Sequence, residues 1–240
     1  MAVRKFVICC LLCLAVICCL LCLAFPCFSE AAAPAKEDNA VAGVVPIPIE
    51  LPQPSFIGTP LDYRSKRLEP PSFRMRKPFL TPKGTLNAAL KKTVATSEIP
   101  LIGKVSQIVD GKKQHNKKFL VELPNGPQWI QIDLGAPHHV HAIIVWHYHE
   151  SERVYFDFAV MTAMDEKLSQ EVTTHYNNDH DNSSGLGVGK DREYVEDFQG
   201  RLVDAKGARA RYVRLNTNGN TTNDLNHYIE VEVWARPTGE

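Results

Sequence analysis

The run Asn177-Asn178-Asp179-His180-Asp181-Asn182-Ser183-Ser184-Gly185-Leu186-Gly187-Val188-Gly189-Lys190-Asp191 packs carboxylates, amides and backbone carbonyls closely together. Oxygen donors at this density suit a hard cation such as calcium, with Asp179 and Asp181 as the charged ligands. The same run suits hydrogen bonding to sugar hydroxyls, with Asn177, His180 and Asn182 as the contacts. A third reading is a solvated loop whose Asx and Ser side chains cap their own backbone. A second polar stretch, Asn216 to Asn226, carries Asn223, Asp224 and Asn226 and reads either as a binding loop or as an ordinary connecting turn. Histidines form a further group: His138, His139 and His141, then His147-Tyr148-His149-Glu150. Alternate residues of a strand share a face, so His147 and His149 could hold zinc or copper with His180 or Asp179, or simply end a strand at the surface.

Several chemistries are absent from the sequence. No His-Glu-x-x-His helix, Gly-x-Ser-x-Gly elbow, phosphate-binding loop or dinucleotide fingerprint occurs, and the glycines at 185, 187 and 189 lack a strand-then-helix setting. Asp179 and Asp181 are neighbours in one loop and so are poorly placed to flank a glycosidic bond from opposite sides. All seven cysteines (9, 10, 13, 18, 19, 22 and 27) fall within the first 27 residues, which leaves the remainder without thiolate, disulfide or Cys-ligated metal. Formal charge is zero, and about minus one once Arg4, Lys5 and Glu30 are set aside, so nothing favours nucleic acid or an anionic membrane as partner.

These groups must be positioned by the elements around them. The chain starts with Arg4-Lys5, an apolar run from Phe6 to Phe28 and small residues at 31–35, the pattern of a secretory signal peptide over 1–35. The run is also long enough for an uncleaved anchor, the one membrane contact the sequence offers, and Cys27 offers lipidation as a minor alternative. Residues 36–85 are proline-rich and read as an extended stalk or a strap laid over a domain. From Leu86 to 236 the texture becomes short apolar runs alternating with polar residues and separated by Gly, Asn, Asp and Pro, with a tail at 237–240. No long 3.6-residue periodicity appears, so the expectation is all-β. In 128–134, Ile130, Ile132 and Leu134 share a face. In 140–148, Val140, Ala142, Ile144, Trp146 and Tyr148 share one face, and Ile143, Val145, His147 and His149 the other. Further strand-like runs are 153–162, 211–217 and 227–234. Loops at one end of such a sandwich cluster, so the two polar stretches could form one surface.

Three segments in order carry a resemblance. They are Asn87 to Ser97 with Val109-Asp110-Gly111, then Pro127-Gln128-Trp129-Ile130-Gln131-Ile132-Asp133-Leu134-Gly135, then Ala210-Arg211-Tyr212-Val213-Arg214-Leu215 with Tyr228-Ile229-Glu230-Val231-Glu232-Val233-Trp234. Together they resemble the discoidin-like family, also called coagulation factor V/VIII type C domains, of the galactose-binding-like superfamily. The resemblance implies an antiparallel jelly-roll β-sandwich with eight strands. It also implies a structural calcium carried by Asp110 and Glu230, against which stands a reading of Asp110 as a turn cap and Glu230 as a solvent-facing side chain. Because related sugar-binding modules often place a histidine in the ligand site, His147 and His149 become sugar-contact candidates. The sequence departs from the family at Lys117-Lys118-Phe119, where a tryptophan usually follows the Val-Asp-Gly loop.

The expectation is therefore a secreted or cell-envelope, non-catalytic module that binds carbohydrate or a glycoconjugate through loops at one end, with structural calcium. The alternatives are an adhesive envelope protein that binds another protein and a small glycan-acting hydrolase. The first predicts an exposed aromatic beside the polar loops, for which Trp146, Tyr155 and Tyr176 are the candidates, whereas an adhesive face would be a broader apolar patch. In a eukaryotic host, Asn182-Ser183-Ser184 and Asn220-Thr221-Thr222 would be glycosylation acceptors.

Overall fold

The computed structural model describes residues 43–54, 63–70, 72 and 74–239. The leader expected over 1–35 lies outside them. Eleven strands follow in order: β1 (Val44–Pro46), β2 (Leu80–Pro82), β3 (Leu86–Asn87), β4 (Thr93–Thr96), β5 (Val121–Leu123), β6 (Gln128–Trp146), β7 (Ala159–Ala163), β8 (Thr173–Asn177), β9 (Arg201–Thr217), β10 (Asn226–Tyr228) and β11 (Glu230–Pro237). All the pairings between these strands are antiparallel.

The long strands β6 and β9 make the sandwich. They pair through Gln128 to Asp133 against Tyr212 to Thr217, lose register, and pair again through His138 to Val145 against Arg201 to Ala210. The break sits at Asp133-Leu134-Gly135, where Gly135 takes a left-handed φ of 85° and donates its N–H to Asp133 Oδ1 at 2.8 Å. A side chain there would strain the turn. Beyond the corner the same two strands belong to the other layer. β4, β7 and β8 extend the first layer, and β11 and β3 the second. The inward residues Ile130, Ile132, Val160, Val213 and Leu215 of one layer and Ile143, Val145, Val203, Val231 and Val233 of the other form one core. Truncating a fully buried member such as Leu215 to Ala costs about 2–5 kcal/mol.

A second register shift, between Val140 and Ala142, corrects the expected alternation. It turns Val140 inward with Ile143 and Val145, while Ala142, Ile144, Trp146 and Tyr148 face outward. That outward face is covered by the proline-rich segment. Ile47 packs onto Ala142, Ile144, Trp146 and Trp234, with Ile49, Leu51 and Phe79 around it. Lys113 pins the segment from the side, donating to Glu50 O at 2.7 Å while paired with Glu232 at 2.5 Å and lying over the Trp146 ring. Within the segment β1 pairs only with β2 and with no strand of the sandwich, so side-chain burial and a few backbone bonds hold it to the second layer. Lys117–Phe119, where the family pattern is broken, is a 3-10 turn whose Phe119 reaches this outer cluster.

Candidate functional site

The site is built at the loops beside β7, β8 and β9. The run 153–162, expected to be one strand, is strand only from Ala159. Ahead of it the chain turns, with Asp157 at a φ of 49°. That turn presents Phe156, half-buried, next to the Asp157 carboxylate. Asp157 Oδ2 accepts from the hydroxyls of Ser183 at 2.8 Å and Ser184 at 2.9 Å and from Asn218 Nδ2 at 2.8 Å. One buried carboxylate thus ties the loop 177–191 to the start of the loop after β9, which is how the two polar stretches meet. A pocket of about 300 Å³ opens there, lined by Phe156, Asp157, Asn178, His180, Asp181 and Ser183, with Asn218, Glu193 and Arg67 closing its sides.

The long loop is largely self-capped. Asp179 Oδ1 and Oδ2 accept the backbone N–H groups of Ser183 and Ser184, and Asp181 Oδ1 also accepts from Ser183 N. Asn177 is buried and structural: its amide donates to Leu186 O and Gly187 O, and its oxygen accepts from Asp179 N. Asn182 closes the loop tip by accepting from Gly187 N at 2.7 Å. Gly189 passes so close to the Asn177 carbonyl that a Cβ would lie 2.4 Å from its oxygen, which fixes glycine there. Of the loop's predicted contacts, His180 and Asp181 line the pocket, and Asn177 and Asn182 shape the loop.

The carboxylate oxygens of Asp157, Asp179 and Asp181 lie within 4.8 Å of one another, the one such acidic or histidine cluster among the described residues. Desolvation, then the Asp157 charge, raises the Asp179 carboxyl, whereas hydrogen bonds from Ser183 lower that of Asp181. Their oxygens are already engaged by hydroxyl, amide and backbone donors, so a cation would compete with bonds the loop needs.

Asp110 and Glu230 show a different environment. Glu230 does not face solvent. It is fully buried, its Oε2 accepts from Gly111 N at 3.1 Å, and its Oε1 has no hydrogen-bond partner. Burial pushes its carboxyl up to about 9, helped by Glu232 and Asp110. Asp110 caps its turn by accepting from Lys112 N and also pairs with the Lys112 ammonium. A buried carboxylate oxygen lacking a donor beside a second carboxylate fits a hard cation, which would supply the missing charge.

Other predictions are corrected. His147 and His149 do not end a strand at the surface; both are fully buried. His147 donates or accepts at Nδ1 with Glu196 at 2.6 Å and sits among Tyr155, Phe158 and Tyr228, stacked 4.3 Å from Tyr155. His149 bonds the His147 carbonyl, and burial lowers its pKa. Neither lines the pocket: Tyr155, Phe158, Tyr228 and Glu196 enclose His147, and His149 packs against the His115 ring. Trp146, Tyr155 and Tyr176 are core residues as well, so none is the exposed aromatic sought. Asn226 is buried, donating to Pro124 O and Gly126 O and accepting from Gly219 N. Asn223 caps its own turn toward Leu225, and Asp224 is exposed and not among the pocket's lining residues. Sequence reasoning missed Phe156, Asp157, Glu193 and Arg67, of which Glu193 lies just past the polar run. Phe156 and Asp157 lay inside an assumed strand and Arg67 inside the proline-rich segment.

Residues 107–215 match the family model of F5/F8 type C domains described as NedA-like, galactose-binding domain. Among curated proteins, none matches the sequence. Solved structures similar to the chain include a family 89 glycoside hydrolase from Clostridium perfringens in complex with 2-acetamido-1,2-dideoxynojirmycin, at 19% identity and a TM-score of 0.48, over 64% of this chain. The chain spans 15% of the length of that hydrolase. They also include CpGH89CBM32-4 of the same organism in complex with GlcNAc-α-1,4-galactose, at 16% identity and a TM-score of 0.48, covering 64% of this chain and 96% of the other. A fucose-binding module of Streptococcus pneumoniae matches at 17% identity and a TM-score of 0.43, covering 64% and 98%.

Proposed function

We propose that this chain, which carries an F5/F8 type C, galactose-binding-like domain, is a non-catalytic carbohydrate-binding module acting at or beyond the cell envelope. The pocket at Asp157 carries the proposal. Its volume of about 300 Å³ stands at the lower end of ligand-pocket sizes and suits one sugar ring or little more. Phe156 offers an aromatic surface for the apolar face of a pyranose. Asn178, His180, Asp181 and Asn218 offer donors and acceptors for its hydroxyls, which satisfy both partners only if each group is matched. Asp157, Asp179 and Asp181 lie within 4.8 Å of one another and spend their oxygens on hydrogen bonds that hold the loop, and Glu193 accepts from Tyr63, which supports binding over hydrolysis.

Calcium enters the same proposal as a structural ion at Asp110 and Glu230, away from the residues lining the pocket. There it would neutralise the buried carboxylate and hold the turn at Gly111; the Asp157, Asp179 and Asp181 cluster is the rival location.

The test is a glycan array probed with the full chain, with Phe156→Ala and Asp157→Asn alongside. The expected result is binding to a restricted set of glycans that both substitutions reduce at least about ten-fold, as loss of a matched polar or stacking contact in a small pocket does. Binding to no glycan on the array, or binding that both variants keep, would contradict the proposal.

A further inference from the structure

The proline-rich segment does more than cover the second layer. Residues 63–70 run beside the chain at 193–201 and hold to it at several points: Leu68 bridges Glu193 in parallel, Glu69 N donates to Glu193 O at 2.8 Å, and Arg201 grips the Glu69 carboxylate with both terminal nitrogens at 2.9 and 2.7 Å. Further along, Arg76 donates to Gln199 and Gly200. This anchoring sets two side chains at the pocket. The Tyr63 ring lies 5.5 Å from the Phe156 ring, and its hydroxyl donates to Glu193 Oε2 at 2.7 Å. Tyr63 therefore fixes both the aromatic surface and one acidic wall. Arg67 lines the pocket, is exposed, and makes no ion pair among the described residues. It is the one Lys or Arg in a lining whose other charges are Asp157, Asp181 and Glu193. Tyr63, Arg67 and the rest of 63–70 lie outside residues 107–215, so the segment is an addition to the matched region.

We propose that residues 63–70 complete the ligand pocket, with Tyr63 as a positioning residue for Phe156 and Glu193, and Arg67 as the residue that decides how well the pocket accepts an anionic sugar. The proposal rests on the carbohydrate reading above. Three carboxylates make the pocket hostile to a uronate, and the one guanidinium offsets them at short range. A neutral hexose feels this balance little, so Arg67 acts on the ratio between charged and neutral sugars instead of on binding as a whole. Removing a merely structural arginine would shift both affinities alike and leave that ratio unchanged.

The full chain is titrated with D-galactose and with D-galacturonate, which differ in a hydroxymethyl against a carboxylate. Wild type, Asp157→Asn, Tyr63→Ala and Arg67→Ala are compared, each with its melting temperature. Tyr63→Ala is expected to weaken D-galactose about five-fold, and Arg67→Ala to lower D-galacturonate affinity about five-fold while leaving D-galactose within about two-fold. Arg67 is exposed, so its variant folds even if Tyr63→Ala does not. If Asp157→Asn loses binding while Arg67→Ala leaves the ratio of the two affinities unchanged, the proposed role of the segment is overturned and the carbohydrate reading stands. If wild type binds neither sugar, the proposed role of the segment falls, and the glycan array alone decides the carbohydrate reading.

Discussion

The two asparagine-rich loops look alike in composition and behave differently. In 216–226 the amides are spent on the loop itself. Asn220 donates to Leu225 O and Asn223 Oδ1, and Asn226 satisfies three backbone groups far apart in sequence. Only Asn218 reaches the pocket. In 177–191 carboxylates and asparagines cap the loop as well, yet His180, Asp181 and Ser183 line the pocket, because Asp157 draws the Ser183 and Ser184 hydroxyls to it from outside the loop. The difference teaches that polar composition marks a loop, while an external anchor decides whether the loop has groups left for a ligand.

The comparison breaks most visibly with acid. His227, at the base of the 216–226 loop, is held neutral: burial and then Arg153 drive its pKa down to about 3. Tyr155 hydroxyl sits 2.9 Å from Nδ1 and Glu122 Oε2 lies 3.1 Å from Nε2, an arrangement that suits the neutral ring with its proton on Nε2. The unfolded chain takes up this proton near 6.5, and the folded chain refuses it until about 3. Stability should therefore fall as pH drops through that window, by about 1.4 kcal/mol per pH unit, seen by chemical denaturation at a series of pH values. His227→Gln should flatten the slope. Next in size, Asn226→Ala should cost about 3 kcal/mol in the same assay, since it leaves buried backbone groups without partners, while glycan affinity of the folded protein stays unchanged. Smallest is the calcium effect. At ten times its Kd the ion should add about 1.4 kcal/mol, read as a rise in melting temperature. Loss of the rise in Glu230→Gln places calcium at the Gly111 turn, loss in Asp179→Asn places it at the pocket, and no rise in wild type removes calcium from the account.

Much of the fold was legible because period-two alternation survives wherever a strand buries one face, as at Ile130, Ile132 and Leu134. The shift at Val140 to Ala142 was not, since a bulge inserts a residue without any composition signal. The site was half legible. His180 and Asp181 stood out in a polar run, but Phe156 and Asp157 follow Val154 and Tyr155 and read as strand, and only the left-handed turn at Asp157 brings them to the pocket. His147 and His149 misled because alternation gives a face and says nothing of what covers it. Arg67 lies about 90 residues before the nearest pocket loop, a contact that no local pattern encodes.

The central claim is that sugar binds at the Asp157 pocket. Backbone amide shifts of the full chain, followed by NMR during D-galactose titration, test it directly. The account predicts saturable shifts centred on 156–157, 178–183 and 218. Shifts centred instead on 223–226, or no shifts at all, would contradict it.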